Sequence, residues 1–245
     1  MPRIDIVLVS PLYDGNVGFT ARVMKNFGFS RLVLVDPCKI GEEGEARAAH
    51  AQDVLRNAER TSLDEIFSRS DMVIATTGEV SKSVCHSMRM PYYTPEEIRD
   101  LVCDINGRIS ILFGRENWGL NNKEVRRSDV ICTIPTAPEY PILNLSHAVA
   151  IVCYALARLP RGEYLLASRE EMDYLYRHID SYLDQINHPD FKRENTLLMM
   201  RRILGRARLT AREASTLHGL MRRSEWHINP ENFSREDIPD ESGDK

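Results

Sequence analysis

The sequence predicts an α/β protein with a parallel β-sheet, followed by a smaller all-helical segment. In the first 160 residues, short runs rich in Val and Ile alternate with helical patterns. These runs are apolar at nearly every position, which is typical of strands that are buried on both faces. After residue 168 only helical patterns follow. Alternation of strands and helices characterises α/β folds, so we expect one α/β domain with a helical extension.

The predicted elements follow one another in a regular order. Five strands are expected at 4–10, 31–36, 72–76, 109–113 and 130–135. The helices of the first domain are expected at 18–27, 44–57, 63–68, 95–102, 123–127 and 144–159. Three further helices are expected at 169–186, 192–207 and 211–225. Ser168 with Glu171, and Thr210 with Glu213, have the spacing of capping boxes at two of these helices.

A cluster of helix breakers marks the expected domain boundary. Pro160-Arg161-Gly162 interrupts the chain directly after the long apolar helix. We therefore predict a first domain at 1–160, a linker at 161–168, a helical extension at 169–227 and a polar tail at 228–245.

Composition excludes several classes of protein. The chain has 245 residues, of which 42% are hydrophobic and 28% charged, as in ordinary globular proteins. No apolar run approaches the roughly 20 residues of a membrane span, and the N-terminus lacks the layout of a signal peptide. The five cysteines are at least 18 residues apart and form no CxxC, which favours reduced thiols in a cytoplasmic protein. No histidine pair has ligand spacing, so we expect no metal site.

Charge is segregated along the chain, although the total is only −4. Residues 191–223 contain nine lysine and arginine residues against two acidic ones, a net of +7, so the remainder carries −11. A basic helical segment on an acidic protein favours contact with a polyanion. A solvated helix face, or arginines that pair with the acidic first domain, explains the pattern equally well.

The familiar nucleotide-binding signatures are absent. There is no GxxxxGK[ST], and no GxGxxG follows a predicted strand. Three other segments that follow strands remain as candidates for a site. In the first, 14–22, glycines would let the backbone turn tightly and approach a ligand, with Asn16 as a helix cap.

The other two candidate segments lie after the last two predicted strands. Segment 113–120 places an arginine, a glutamate and a tryptophan between two glycines, at the edge where open α/β sheets bind ligands. A surface turn is the alternative. Segment 134–146 is stiffened by three prolines before an apolar helix that Asn144 or Ser146 could cap. A rigid loop of this kind also suits recognition of an adenine edge.

Taken together, the three segments resemble the SPOUT methyltransferase superfamily in its SpoU (TrmH-like) branch. The matching motifs are Asn16-x-Gly18-x-x-x-Arg22, Phe113-Gly114-x-Glu116-x-x-Gly119-Leu120, and the stretch from Ile134-Pro135 to Leu143-Asn144-Leu145-Ser146. Residues 199–210 and 217–221 resemble the C-terminal helical extension of one group in this branch. That group methylates the ribose 2′-hydroxyl of nucleotide 32 in the tRNA anticodon loop. The resemblance covers residues 3–225.

The resemblance implies a parallel sheet whose C-terminal part threads into a deep trefoil knot, with a pocket for S-adenosylmethionine in the knot. It also implies a homodimer with each active site at the subunit interface. The cofactor-binding positions carried over are Thr76, Thr77, Gly78, Gly114, Ile134, Pro141, Ile142 and Leu143. At the position of Ile142 the branch often has a small hydroxyl residue. The isoleucine would remove a hydroxyl that takes part in catalysis elsewhere, or would narrow the selection of the base.

The resemblance also implies a set of catalytic residues. They are Arg22, Asn16, Glu116, Asn144 and Ser146. Arg22 is expected to act across the dimer interface. Because a guanidinium stays protonated at neutral pH, gripping a substrate phosphate is an easier role for it than acting as a general base. An interface salt bridge with Glu116 is the structural alternative for Arg22.

RNA contacts are implied for basic and aromatic residues. They are Arg22, Arg115, Tyr140, Arg201, Arg202, Arg206 and Arg208. The basic helices would grip the anticodon stem backbone without reading sequence. Trp118 and Tyr140 would stack on a flipped base, or alternatively pack in the core.

These implications define the expected function. The chain is expected to transfer a methyl group from S-adenosylmethionine to the ribose of nucleotide 32, with cytidine and uridine both open as substrates. Its expected partners are tRNA and a second copy of the chain, with no metal and no membrane. Two alternatives remain: the same reaction at another tRNA or rRNA site, and a non-catalytic RNA-binding relative.

Overall fold

The structure, a computed structural model, describes residues 2–78, 88–157 and 165–228. The predicted boundary at Pro160-Arg161-Gly162 and nearly all of the predicted tail at 228–245 lie outside these ranges. The domain division therefore stays a prediction.

A seven-stranded sheet forms the centre of the described chain. Its strands are β1 (Arg3–Val9), β2 (Leu32–Val35), β3 (Glu59–Arg60), β4 (Met72–Thr76), β5 (Tyr92–Tyr93), β6 (Arg108–Phe113) and β7 (Val130–Cys132). The strand order is β3-β2-β1-β6-β4-β7-β5, and every neighbouring pair is parallel. The five predicted strands and the parallel sheet are confirmed. The prediction missed β3 and β5, which are two residues long and lack an apolar run because they lie at the sheet edges.

Helices cover both faces of this sheet and form the extension. They are α1 (Asp14–Asn26), α2 (Glu42–Ala48), α3 (Gln52–Arg56), α4 (Leu63–Arg69), α5 (Pro95–Val102), α6 (Asn122–Arg127), α7 (Leu145–Leu156), α8 (Arg169–Gln185), α9 (Asp190–Ala207) and α10 (Ala211–Ile228). The predicted helix at 44–57 is interrupted, because Ala49 between α2 and α3 has a φ of 48°. Within the described ranges, no helix combines the length and apolar character needed to cross a membrane.

Side chains of the central strands enter a separate apolar core on each face. Along β1, Ile6 and Leu8 join the core beneath α1, α5 and α7, whereas Val7 and Val9 join the core beneath α4 and α6. All four side chains are at most 1% exposed. This two-sided burial explains why the strands are apolar at successive positions.

The first motif lies within a helix rather than in a turn. Helix α1 begins at Asp14, four residues before the predicted start, and its N-cap is Tyr13. The expectation that Asn16 caps this helix is therefore wrong. A Cβ atom at Gly18 would lie 2.1 Å from the backbone oxygen of Gly44. This glycine permits close packing of α1 on α2, which is a contact that a strand–turn–helix pattern does not reveal.

Helix α8 begins with the predicted capping box, in which Ser168 and Glu171 exchange hydrogen bonds. Thr210 and Glu213 exchange the same bonds before α10. The helices of the extension share their own apolar core, and α8 and α9 also contact α4 and β7 of the first domain. The observed fold class is thus a parallel sheet flanked by helices with a helical extension, and the knot remains an expectation from the resemblance.

The extension is docked on the sheet by a buried ion pair. Arg169, at the start of α8, donates from Nη2 to Oδ2 of Asp129 at 2.6 Å, and both side chains are 6% exposed. The same carboxylate accepts a hydrogen bond from the backbone N of Val73. On α9, a Cβ atom at Gly205 would lie 2.8 Å from Cβ of Asp129, so the helix backbone closely approaches this turn.

Candidate active site

A cavity of about 190 Å³ opens at the carboxyl ends of β4, β6 and β7. It is lined by all eight positions that were expected to bind cofactor: Thr76, Thr77, Gly78, Gly114, Ile134, Pro141, Ile142 and Leu143. Lining residues that belong to no motif position and carried no expected role are Arg89, Asn117, Cys132 and Ala148. Three separated stretches of sequence therefore form one cavity, where parallel sheets typically bind ligands.

The glycine-bracketed loop forms one wall and has a backbone that requires its glycines. Arg115 and Gly119 exchange two backbone hydrogen bonds, of 3.2 and 2.8 Å. Gly119 has a φ of 69°, a conformation that favours glycine. A Cβ atom at Gly114 would lie 2.1 Å from the carbonyl carbon of Gly119, so no larger residue fits there without opening the loop.

Arg115 holds this loop against the sheet. Its Nη1 donates to both carboxylate oxygens of Glu124 at 3.0 Å, and its Nη2 donates to Oγ of Ser10 at 3.0 Å. The guanidinium also lies over the ring of Trp118, 4.3 Å from the ring centroid. These contacts occupy Arg115 within the protein and count against the expected RNA contact. Trp118 is 56% exposed, so the alternative that it packs in the core is wrong.

Four of the five expected catalytic residues form one hydrogen-bonded chain beside the cavity. Glu116 accepts a bond from Nδ2 of Asn16 at 2.9 Å, and Oδ1 of Asn16 accepts one from Nδ2 of Asn144 at 3.1 Å. Oδ1 of Asn144 accepts bonds from the backbone N and Oγ of Ser146, at 2.9 and 2.8 Å. Asn144 is thereby the N-cap of α7, as one of the two expected alternatives. These hydrogen bonds fix the starts of α1 and α7 relative to the cavity loop.

Arg22, the fifth expected catalytic residue, lies apart from this chain. Its side chain is exposed on α1 and makes no hydrogen bond or ion pair with any residue in the described ranges. Arg22 and Asn16 are about 120° apart around the helix axis, so they face different sides of α1. Within the described chain Arg22 and Glu116 form no salt bridge, because Glu116 bonds to Asn16 and to the backbone N of Leu12. The alternative of such a salt bridge across a dimer interface stays a prediction.

The proline-rich loop presents one aromatic and one aliphatic side chain to solvent. Tyr140 is 82% exposed and Ile142 is 48% exposed. A Cβ atom at Gly78 would lie 2.8 Å from Cδ1 of Ile142, so this isoleucine occupies the space beside Gly78 in the cavity wall. Oγ1 of Thr136 donates to the carbonyl of Pro141 at 3.1 Å and closes the loop.

Cys132 is the thiol of the cavity lining. Burial raises its pKa to about 12, so the thiol is protonated at neutral pH and is a poor nucleophile. Among the residues that the structure describes, no group of His, Cys, Asp and Glu side chains is arranged to hold a metal ion.

The arginines expected to bind RNA turn mostly toward the first domain. Arg202 is 2% exposed and donates to backbone carbonyls, which places it out of reach of an RNA phosphate. Arg208 pairs with Asp104, and Arg201 lies over the ring of Tyr176. The alternative in which arginines pair with the acidic first domain is therefore observed for Arg208 with Asp104 and for Arg201 with Asp129 at 3.7 Å, whereas Arg202 bonds to backbone carbonyls of that domain. Charge counting missed this outcome because it does not show which way a helix faces.

Other arginines of the extension do face solvent. Arg177 on α8, and Arg212 and Arg223 on α10, are exposed, and their side chains have no hydrogen-bond or ion-pair partner among the described residues. Positions 212 and 223 are three helical turns apart and therefore share one face of α10. Helical periodicity in the sequence shows that these two positions share a face. Only the positions of the neighbouring helices show that this face is exposed to solvent.

Known proteins share both the sequence and the fold. The family model described as "SpoU rRNA Methylase family" matches residues 3–154. The "tRNA (cytidine-2'-O-)-methyltransferase TrmJ" of Methanocaldococcus jannaschii is 38% identical over 223 residues, which cover 87% of this chain and 96% of that protein. The crystal structure of TrmJ from Z. mobilis ZM4 is 29% identical and has a TM-score of 0.69, covering 92% of this chain and 99% of that one.

A more distant structure shares the fold alone. The SpoU methyltransferase AviRb from Streptomyces viridochromogenes, crystallised in complex with the cofactor AdoMet, is 16% identical with a TM-score of 0.50. The match covers 64% of this chain and 60% of that chain.

Proposed function

The chain belongs to the SpoU rRNA Methylase family, and from this membership we propose that it methylates a ribose 2′-hydroxyl of tRNA with S-adenosylmethionine as the methyl donor. The observation that carries the proposal is the hydrogen-bonded chain of Glu116, Asn16, Asn144 and Ser146 beside the cavity. Polar side chains from three distant segments converge there, at the edge of the sheet where a ligand would enter. We propose nucleotide 32 of the anticodon loop as the target, because the helical extension resembles that of the group of methyltransferases that modifies this nucleotide.

The cavity suits the proposed cofactor in its chemistry. Ile134, Ile142 and Leu143 provide apolar walls for an adenine ring, and Gly78 and Gly114 contribute to the lining without side chains of their own. Sites for such ligands are typically apolar, with a few polar groups that fix orientation. S-adenosylmethionine would supply an electrophilic methyl group on a sulfonium ion.

Arg22 and the four residues of the hydrogen-bonded chain have distinct roles in the proposed reaction. Methyl transfer needs in-line positioning of the 2′-oxygen and removal of its proton. Glu116 and Asn16 would fix the loop that borders the substrate, and Asn144 with Ser146 would fix the start of α7. Arg22 would extend to the active site of a second protomer, grip a phosphate and orient the ribose there. Its exposure and its lack of a partner among the described residues support this role.

The proposed RNA surface differs from the one that the sequence suggested. Arg212 and Arg223 on α10, together with Arg177 on α8, would contact the tRNA backbone in place of the arginines that face the first domain. Reversing the first two to glutamate should weaken tRNA binding and reduce its dependence on salt, because fewer counterions are released. Cofactor affinity, measured by calorimetry, should stay unchanged in the same variant. Unchanged tRNA affinity would remove this surface from the proposal.

The decisive experiment is transfer of radiolabelled methyl groups from S-adenosylmethionine to unmodified tRNA transcripts with C, U, A or G at nucleotide 32. Label that depends on nucleotide 32 and is recovered as a 2′-O-methyl nucleoside supports both reaction and target. Label that ignores nucleotide 32 moves the target to another site. Absence of label, together with absence of cofactor binding, overturns the enzymatic proposal in favour of an RNA-binding relative.

A further inference from the structure

Arg202 of α9 is the largest fully buried side chain at the contact between the extension and the first domain. Its guanidinium donates to three backbone carbonyls of the first domain. Nη2 donates to Val125 at 2.8 Å and to Met88 at 3.0 Å, and Nη1 donates to Ser128. A side chain of the extension thus holds backbone groups that lie 74 to 114 positions away in sequence.

The three carbonyls belong to residues that adjoin two segments of the cavity lining in sequence. Val125 and Ser128 lie at the end of α6, the helix that directly follows the cavity loop at 113–120. Met88 directly precedes Arg89, which is a lining residue of the cavity. One guanidinium therefore holds backbone next to two separate lining segments, although Arg202 itself does not line the cavity.

Burial of an arginine at this contact is energetically unfavourable, so the geometry of its guanidinium should provide something that an apolar side chain cannot. Burial lowers the pKa of Arg202 to about 10, which leaves it protonated at neutral pH. Its hydrogen-bond partners are neutral carbonyls, and Nε has no acceptor in the described chain. A buried charge without a bonded carboxylate is costly, and an apolar side chain would fill the same contact more cheaply. The planar fork of a guanidinium, however, can hold several acceptors in fixed directions.

We propose that Arg202 is a positioning residue for the cofactor cavity, which makes the helical extension part of the architecture of the cofactor site. The inference rests on the proposed function only in naming the ligand of the cavity. It assigns to Arg202 a role in cofactor affinity instead of the RNA contact that its sequence position suggested. Through this contact, docking of the extension and binding of the cofactor are thermodynamically coupled.

The test compares full-length wild type, Arg202→Met, Arg202→Lys and Arg208→Met by calorimetry with S-adenosylhomocysteine. Arg208 is the matched control, because it also crosses the domain contact but bonds at the end of α5, to Asp104 and the carbonyl of Leu101. We expect Arg202→Met to raise the Kd about tenfold. Arg202→Lys, which keeps a charge and three donors, should recover part of that loss, and Arg208→Met should stay within about twofold of wild type.

A second readout needs no ligand. The chain has two tryptophans, Trp118 in the cavity loop and Trp226 in α10. In a Trp226→Phe background, acrylamide quenching reports on Trp118 alone. Arg202→Met should increase this quenching, whereas Arg208→Met should not.

The outcomes separate the two proposals. A wild type that fails to bind S-adenosylhomocysteine overturns the proposed function, and the quenching of Trp118 then still decides whether Arg202 orders the loop. Equal affinity of Arg202→Met and wild type overturns the positioning role. An equal loss in Arg208→Met also overturns it, because general undocking would explain both. If Arg202→Met does not fold, Arg202→Lys carries the same comparison.

Discussion

Glu116→Gln tests the centre of the candidate site with the smallest change of shape. Oε2 of Glu116 accepts from the backbone N of Leu12 at 2.8 Å. Oε1 accepts from Nδ2 of Asn16 at 2.9 Å and from the backbone N of Tyr13 at 3.4 Å. A glutamine keeps one acceptor oxygen but turns the other position into an NH₂ group that faces a donor.

The expected magnitude follows from these bonds. Whichever way the amide is oriented, the bond to Leu12 or the bond to Asn16 is lost. A hydrogen bond to a charged group contributes about 1.5–3 kcal/mol, and the lower end applies because Leu12 and Tyr13 are exposed. Since about 1.4 kcal/mol corresponds to a tenfold change in rate, kcat should fall about tenfold if the network acts in the transition state.

The assay is methyl transfer to a tRNA transcript at saturating cofactor, with melting curves recorded for the same samples. Glu139→Gln is the matched control, because Glu139 lies exposed in the proline-rich loop and has no hydrogen-bond or ion-pair partner within the described ranges. A wild-type rate for Glu116→Gln would refute the reasoning. So would an equal loss in Glu139→Gln.

Three other predictions concern separate parts of the chain. Arg22→Ala should abolish methyl transfer while sedimentation and calorimetry show an unchanged oligomer and cofactor affinity; retained turnover would contradict its assignment. Gly114→Ala should abolish cofactor binding in calorimetry, because its Cβ atom would lie 2.1 Å from the backbone of the loop, and wild-type affinity would show that the loop can open. Burial and the neighbouring His178 lower the pKa of His218 below 6.5, so the unfolded chain binds a proton first as the pH falls. Stability should therefore decrease below about pH 6.5, and His218→Gln should lose less of its melting temperature between about pH 7.5 and about pH 5.5 than wild type.

Local patterns in the sequence were sufficient to predict the strands that are buried on both faces of the sheet. The strands β1, β4 and β6 are apolar at successive positions because each face meets a helical layer, and this requirement is visible in any short window. The convergence of the three motifs was also predictable. Segments that follow parallel strands must meet at one edge of the sheet.

The tertiary structure alone decided what the glycines of the first motif and the arginines of α9 do. Gly18 lies inside a helix and permits packing on α2, although its sequence resembles a turn beside a strand. Arg202 carries the same charge as Arg212, but one is buried against carbonyls of the first domain and the other is exposed.

The physical reason is that helical periodicity fixes which residues share a face, but not which neighbour that face meets. The orientation of α9 depends on long-range contacts, such as Gly205 against Asp129 and Arg169 with the same carboxylate. A net charge of +7 over residues 191–223 is equally compatible with exposed arginines that contact RNA and with buried arginines that bond to backbone carbonyls. Composition thus established that the segment is basic, and only the docking of the extension determined which of its arginines remain available to a polyanion.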